Sequence, residues 1–292
     1  MNQTIKEIGK KVVGLIPSKI WLSYLFKKKM GYPMDWKNPQ TYSQKLQWLK
    51  VYDRNPLYTT LVDKYEVKKY VADKIGEQYI IPTLGVWDNF DQIDFDALPD
   101  QFVLKCTHDS GGLIICRDKS KFNKEAARKM FKVCLNRNPY DVSREWPYKN
   151  VKPRIIAEAY MEDEKTAELR DYKFFAFRGD VKALFIASER ASETEETKFD
   201  FFDADFNHLP FTNGHPNAKV PPAKPENFEE MKTLAALLSK DLPQARIDFY
   251  EVNGKTYFGE VTFFHWGGTK PFDPVEWDYT FGDWIALPVV TF

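Results

Sequence analysis

At 292 residues the chain can hold one large domain or two smaller ones, and 43% apolar with 29% charged residues excludes wholesale disorder. A formal net charge of zero argues against a general nucleic-acid binder working through a basic surface. Three cysteines without a CxxC pair (Cys106, Cys116, Cys134) fit a reducing cytoplasm better than a disulfide framework or a zinc site.

The charge is unevenly placed: residues 1–34 hold seven lysines against one acid, Glu7. Ile5, Ile8, Val12, Leu15 and Ile16 recur at helical spacing and predict a helix over residues 4–16 that ends at Pro17. The apolar run inside it is too short for a signal peptide, and no stretch approaches the ~18 apolar residues of a membrane span. "IWLSYLF" then runs into Lys27–Lys29. Two readings stand for this region: helices packed on the main body with solvated lysines, or a basic amphipathic anchor for anionic lipid.

"TYSQKLQWLKVY" (41–52) has the form of a capped helix, and 63–76 carries Val67, Tyr70, Val71 and Ile75 on one stripe with Gly76 as the stop. Short strand pieces follow in "YIIPTLGVW". "FVLKC" and "LIIC" are strands on either side of "THDSGG", and a helix capped by Asn123 comes next. From residue 154 the chain turns β-rich, with a hairpin turn at Arg178-Gly179 and a proline-rich loop near 220. A helix and a last hairpin around Asn253-Gly254 close the series. Helices mixed with antiparallel hairpins predict an α+β fold.

Three groups of residues could carry chemistry. Lys105 ends a strand and is followed by Ser110, Gly111 and Gly112, so an ammonium and close-approaching backbone N–H groups are available to a phosphate. The same string also serves a plain hairpin turn with an exposed lysine. Arg246, Asp248 and Glu260 lie on the two arms of the last hairpin. Two carboxylates there suit Mg²⁺, and Arg246 suits a transferring phosphoryl group, although an Arg–Asp pair is also an ordinary salt bridge. A strict two-residue turn at Asn253-Gly254 pairs Asp248 with Gly259 and sends Glu260 to the opposite face, so a shared metal requires a longer turn or one bulge. Third, "IIAEAYM" (155–161) delivers Glu158 on an apolar strand beside backbone that could meet an adenine edge.

The order of these pieces resembles the ATP-grasp superfamily over about residues 61–270. It runs Asp63-Lys64 opening a helix, "FVLK…GG", "IIAEAYM", then "RxD…ExT" on a terminal hairpin. The wider wording, including "YDRNPLYTTLVDKYEVKKYV", "GEVTFFHWGG" and "FDPVEWDYTFGDWI", is similar to the TupA-like ATP-grasp family across nearly the whole chain. That resemblance implies two α+β subdomains sandwiching a nucleotide, expected at about 51–153 and 154–292, behind an N-terminal helical region at 1–50. It implies ATP and Mg²⁺ as cofactors. Lys64, Lys105, Ser110, Gly111 and Gly112 would contact phosphates, Glu158 and Met161 would frame the adenine, and Asp171 would reach the ribose. Asp248, Glu260 and Thr262 would hold metal, the last where the family's pattern has an asparagine. His108 and His265 lie in the two motif loops and are expected as acids or bases beside Arg246, while His208 and His215 receive no role. Lys173 and Lys198 are further candidate phosphate contacts.

The implied activity is an ATP-dependent carboxylate–amine ligase of surface-polysaccharide synthesis. Its partners would be a glycan or uronic acid, an amine and an anionic membrane surface at the cytoplasmic side. Three rivals are a glycan kinase on the same site, a nucleotide-sugar glycosyltransferase using the "DAD" at Asp203–Asp205, and a nucleotide-sensing scaffold.

Overall fold

The computed structural model of the chain describes residues 14–164, 169–189 and 196–289. The helix expected over 4–16 lies, apart from its last residues, outside them. The helices are α1 (Ser18–Met30), α2 (Tyr42–Tyr52), α3 (Leu57–Val62), α4 (Glu66–Ile75), α5 (Lys124–Leu135), α6 (Tyr140–Ser143), α7 (Phe228–Ser239) and α8 (Glu276–Asp283). The strands are β1 (Thr83–Trp87), β2 (Phe102–Cys106), β3 (Leu113–Cys116), β4 (Ile155–Ala159), β5 (Asp171–Phe177), β6 (Asp180–Ser188) and β7 (Lys198–Asp203), then β8 (His208–Leu209), β9 (Thr212–Asn213), β10 (Ala245–Val252), β11 (Lys255–Thr262) and β12 (Phe272–Asp273).

Two antiparallel sheets organise the chain, one ordered β1-β4-β2-β3 and one ordered β11-β10-β5-β6-β7-β8. Each sheet has its own apolar core. In the first, β2 alternates strictly: Phe102, Leu104 and Cys106 face inward onto Ala127, Phe131 and Cys134 of α5. The period of two leaves Val103 and Lys105 on the other face. In the second sheet, one face of β5, β6 and β10 packs on Phe228, Met231 and Ala235 of α7.

Local chemistry explains the boundaries. Thr41 and Gln44 form a reciprocal capping box at the start of α2, and Asn123 accepts from the Ala126 amide to start α5. Gly76 stops α4 at φ +116°, a value other residues avoid. Residues 42–52 do not form a detached N-terminal layer. Tyr42, Leu46 and Leu49 are buried in the larger core, where the Tyr42 ring meets Phe175, Phe272 and Phe281 edge-on.

Candidate active site

The outward face of the first sheet is read directly from its register. Leu113 and Ile156 flank Lys105, while Ile115 and Glu158 flank Val103. Leu113 and Ile115 are exposed, so this face presents an apolar surface with one ammonium and one carboxylate set into it. Glu158 is buried and held by two lysines, Lys105 at 2.6 Å and Lys68 at 2.5 Å. Burial alone pushes its carboxyl up, but Lys105 and Lys68 outweigh that and hold it below the usual range. Lys68 is a component that sequence reading missed. It lies on α4, four residues after Lys64, which stands in the turn before the helix.

Across the cleft, the second sheet presents Asp171, Lys173 and Phe175 of β5 beside Arg246 and Asp248 of β10, and these beside Glu260 and Thr262 of β11. The hairpin has a strict two-residue turn, Asn253-Gly254, with φ +50° and +74°. It also has one irregularity: Asp248 pairs with Glu260 and Phe249 with Phe258, leaving Gly259 as an extra residue. The bulge brings both carboxylates to the same face.

These charges are densely paired. Arg246 donates to both oxygens of Asp248 at 2.7 Å, to Glu260 Oε1 at 3.2 Å and to the Thr262 hydroxyl at 2.9 Å. Lys173 Nζ reaches Asp248 Oδ2 at 2.5 Å and Asp171 Oδ1 at 3.4 Å. Lys64 spans the cleft, 3.0 Å from the Asp109 carbonyl of the first sheet's loop and 3.9 Å from Glu260 Oε2. Burial would raise the Glu260 carboxyl, but Lys64 foremost, then Lys173, Arg246 and Lys105, hold it down to about 2. Burial lowers Lys173 despite Asp248 beside it.

The donor set fits one hard cation. Glu260 is held in its ionised form, its side chain is 38% exposed, and among the described residues its Oε2 meets Lys64 at 3.9 Å. Asp248 accepts three hydrogen bonds at its four lone-pair sites and offers what remains. Thr262 is a weaker donor than expected of a ligand, because its hydroxyl oxygen already accepts from Arg246. Among the described residues no cluster of three or more His, Cys, Asp or Glu converges. A cation held here would take most of its oxygens from phosphate and water, as Mg²⁺ characteristically does.

Several expected residues have other surroundings than the sequence suggested. His108 is buried, with Nε2 on the Arg137 carbonyl at 3.0 Å, and burial lowers its pKa. His265 is buried as well; its Nδ1 accepts a hydrogen bond from Arg246 Nη1 at 2.9 Å and its Nε2 donates to Asn213 Oδ1 at 3.0 Å. Burial, then Arg246 and Lys173, drive its pKa well below 6.5. Both rings are buried: His265 has both nitrogens engaged by Arg246 and Asn213, while His108 uses Nε2 on the Arg137 carbonyl. Gly112 is a glycine for packing: a Cβ there would lie 2.9 Å from Cys106 Sγ and 3.2 Å from Cys134 Cβ. Ser110 and Gly111 are exposed at the loop tip, where the Gly111 amide donates to Asp109 Oδ1 at 3.2 Å. Met161 follows β4 in the connection between the sheets, which Asp163 ties to the Asn253 amide at 2.9 Å. Asp171 is buried at the start of β5.

Two antiparallel sheets closing on a cleft, lysines on the first and an Arg-Asp-Glu hairpin on the second, define an ATP-grasp fold. A family model described as TupA-like ATPgrasp matches residues 44–286. The chain belongs to the TupA-like ATP-grasp family. No curated protein matches it. Among solved structures, D-alanine–D-alanine ligase from Bacillus anthracis complexed with ATP is 19% identical, over 70% of this chain and 55% of that one, with a TM-score of 0.39. The Helicobacter pylori D-alanine–D-alanine ligase is 16% identical over 84% and 69%, with a TM-score of 0.42. The ATP-grasp ligase PsnB, complexed with a phosphomimetic variant of minimal precursor, Mg and ADP, is 10% identical over 76% and 57%, with a TM-score of 0.42. The chain thus spans little more than half the length of the first and third of these proteins, and the likeness is one of chain path alone.

Proposed function

We propose that the protein is an ATP-dependent ligase that activates a carboxylate as an acyl phosphate and passes it to an amine, in the synthesis of a surface polysaccharide. The observation that carries this reading is the cluster of Lys64, Lys105, Lys173 and Arg246 around Glu260 and Asp248, with exposed Leu113 beside Lys105 and exposed Ile115 on the same sheet face. The exposed Leu113 and Ile115 side chains would offer an apolar surface to the adenine. The polyphosphate fits the lysines, which would exchange their present carboxylate partners for phosphate oxygens.

In the first step a carboxylate oxygen of the acceptor attacks the γ-phosphorus and ADP leaves with its electron pair. In the second, the amine attacks the acyl carbon, phosphate departs and the amine loses a proton. Mg²⁺, held by Glu260 and Asp248 with the phosphates, would neutralise charge on the transferring group. Arg246, held by Asp248, Glu260 and Thr262, would balance charge as it develops on the acyl phosphate oxygens, and a fixed position would save reorganisation at the moment of reaction. Lys64, which reaches the Asp109 carbonyl and Glu260, would bind the phosphates between the two sheets. The "DAD" string does not support a transferase, because the Asp203 carboxylate caps its own turn through Asp205 and Asn207.

The test is ADP release with ATP and Mg²⁺ while the acceptor is varied. Release that requires a carboxylate and an amine together supports the ligase; release with a hydroxyl acceptor alone makes it a kinase and sinks the reading.

We also propose contact with anionic membrane. No described helix is long and apolar enough to cross one. On α1, exposed Ile20 and Tyr24 lie one turn apart, followed by exposed Lys27–Lys29. Co-sedimentation should be greater with phosphatidylserine vesicles than with neutral ones, and equal recovery from both ends the idea.

A further inference from the structure

Residues 143–154 run between the loops of the two sheets. At one end Lys50 donates both to the Ser143 carbonyl, at 3.0 Å, and to the Gly267 carbonyl, at 2.8 Å, in the left-handed turn Trp266–Gly268 that follows His265. At the other end the Thr107 amide donates to the Arg154 carbonyl at 2.9 Å, beside His108 and the glycine loop. Between these anchors Trp146–Asn150 form a short 3₁₀ helix with Pro147 buried. Trp146 lies against Tyr58 at 6.2 Å, and Tyr58 stacks at 4.3 Å on Phe263, the residue after β11. The segment is thus fixed against the end of the hairpin that carries Glu260 and Thr262.

Tyr148 is half-buried on this helix, packed at the edge of the larger core. Its amide donates to the Glu145 carbonyl at 3.2 Å, and in a 3₁₀ turn side chains three residues apart lie on one face. Glu145 marks where that face looks, because its Oε1 lies 3.5 Å from where a Cβ on Gly267 would stand. The charges near enough to act on the Tyr148 phenol are those of Glu145, Glu260, Arg246 and Asp109, drawn from the last hairpin and from the first sheet's loop as well as from its own segment. Free donors are otherwise scarce here. Lys105, Lys173 and Arg246 each lie 2.5–2.7 Å from a carboxylate, and Lys64 is shared between a carbonyl and Glu260. The Tyr148 hydroxyl has no hydrogen-bond partner among the described residues. Burial first, then Glu145 and Glu260, raise its pKa well above the ordinary value, so it keeps its proton and serves as a donor and not as a base.

We propose that Tyr148 is a further catalytic residue, whose hydroxyl donates a hydrogen bond to a non-bridging oxygen of the phosphoryl group in transfer; this rests on the ligase reading. As the acceptor carboxylate oxygen bonds to the γ-phosphorus, the bond to the β-phosphate oxygen breaks and its electron pair leaves with ADP. The phenol proton stays on Tyr148 throughout. A neutral donor with no carboxylate to give up can meet the phosphoryl oxygens without first exchanging partners, as the lysines must.

The test is titration calorimetry on the full chain with Mg-ADP, alone and with aluminium fluoride, a mimic of the phosphoryl group in transfer. Wild type and Tyr148→Phe are compared, and thermal melting is followed with and without Mg-ATP. Tyr148→Phe should melt as wild type does, because the lost hydroxyl leaves no partner behind, and should bind Mg-ADP equally well. Its affinity for the aluminium fluoride complex should fall by about tenfold or more, the worth of one hydrogen bond to a charged group. Equal affinity of the two proteins for that complex overturns the proposal. So does an equal loss with Mg-ADP alone, or a large fall in melting temperature, since either makes the hydroxyl structural. A wild type that Mg-ATP does not stabilise sinks the ligase reading and this proposal with it. A wild type that Mg-ATP stabilises but that gains nothing from aluminium fluoride overturns this proposal alone.

Discussion

Asp248 and Glu260 stand opposite each other on neighbouring strands although a regular ladder from the Asn253-Gly254 turn would pair Asp248 with Gly259. The extra residue is a glycine for a reason visible in the packing. A Cβ on Gly259 would approach the Asp248 carbonyl and the Tyr250 ring at 3.1 Å each. Gly259→Val should therefore cost about 1–3 kcal/mol in urea unfolding, the range for overpacking, and reduce stabilisation by Mg-ATP. Deleting Gly259 restores a regular ladder in which Glu260 still faces Asp248, so the deletion should keep that stabilisation. Equal loss in both variants would mean that the bulge matters for more than the pairing.

Glu260 carries a pH signature of its own. Its carboxyl, near 4.5 when unfolded, is held down to about 2 in the fold. The ionised form is the favoured one, so its stabilisation is complete above about 4.5 and lost as pH falls toward about 2. Solvent screening of this partly open side chain makes the effect smaller than a buried group would give. Glu260→Gln should flatten the acid limb of a stability–pH curve between those values and abolish Mg²⁺ dependence of ATP binding. An unchanged acid limb would show that the cluster cations do not act on this group.

His265 is hydrogen-bonded to Arg246 and Asn213, and its expected role is to hold Arg246 rather than to exchange protons with substrate. Its Nδ1 accepts from the guanidinium because its Nε2 proton is committed to Asn213, whose amide in turn donates to the carbonyls of Lys270 and Pro271 at 3.0 Å. His265→Ala should lower kcat by about 100-fold through loss of alignment, with KM for ATP little changed. Because the folded ring stays neutral well below 6.5, the wild-type rate should show no inflection near 6.5 from this group. Such an inflection, absent in His265→Gln, would return His265 to the acid–base role.

Much of the scaffold was legible because it is written in local chemistry. The Thr41 capping box, the Asn123 cap, the Gly76 stop and the Arg178-Gly179 and Asn253-Gly254 turns each follow from residues within a few positions of one another. The facing of Asp248 and Glu260 was legible only as a condition, since a bulge depends on what Gly259 packs against. The surroundings of Glu158, His108 and His265 were not legible. Their partners Lys68, Arg137 and Asn213 lie between 29 and 90 residues away, brought close by tertiary packing alone. Lys50 was missed for a different reason: a lysine on a capped helix reads as solvated, and only the loop above it shows why it is buried.

That buried lysine allows a last prediction. Lys50 donates to Ser143, Gly267 and Gln47 at 3.0, 2.8 and 3.3 Å, and burial lowers its pKa to about 8, with Glu145 opposing the shift. The charged form is the costly one in the fold. Between about pH 8 and its unfolded value near 10.5, the unfolded chain keeps a proton that the fold has released, so this group adds stability as pH rises through that window. Lys50→Met removes the charge and leaves the Ser143 carbonyl and the Gln47 side-chain oxygen without its donation, while Gly267 keeps Gln47, and should destabilise by about 1–3 kcal/mol at pH 7. It should also lose the alkaline gain and release the turn that clamps Trp266, seen as a changed indole Nε1 proton shift. A Lys50→Met protein as stable as wild type, with that resonance in place, would show that Gln47 alone holds the loop.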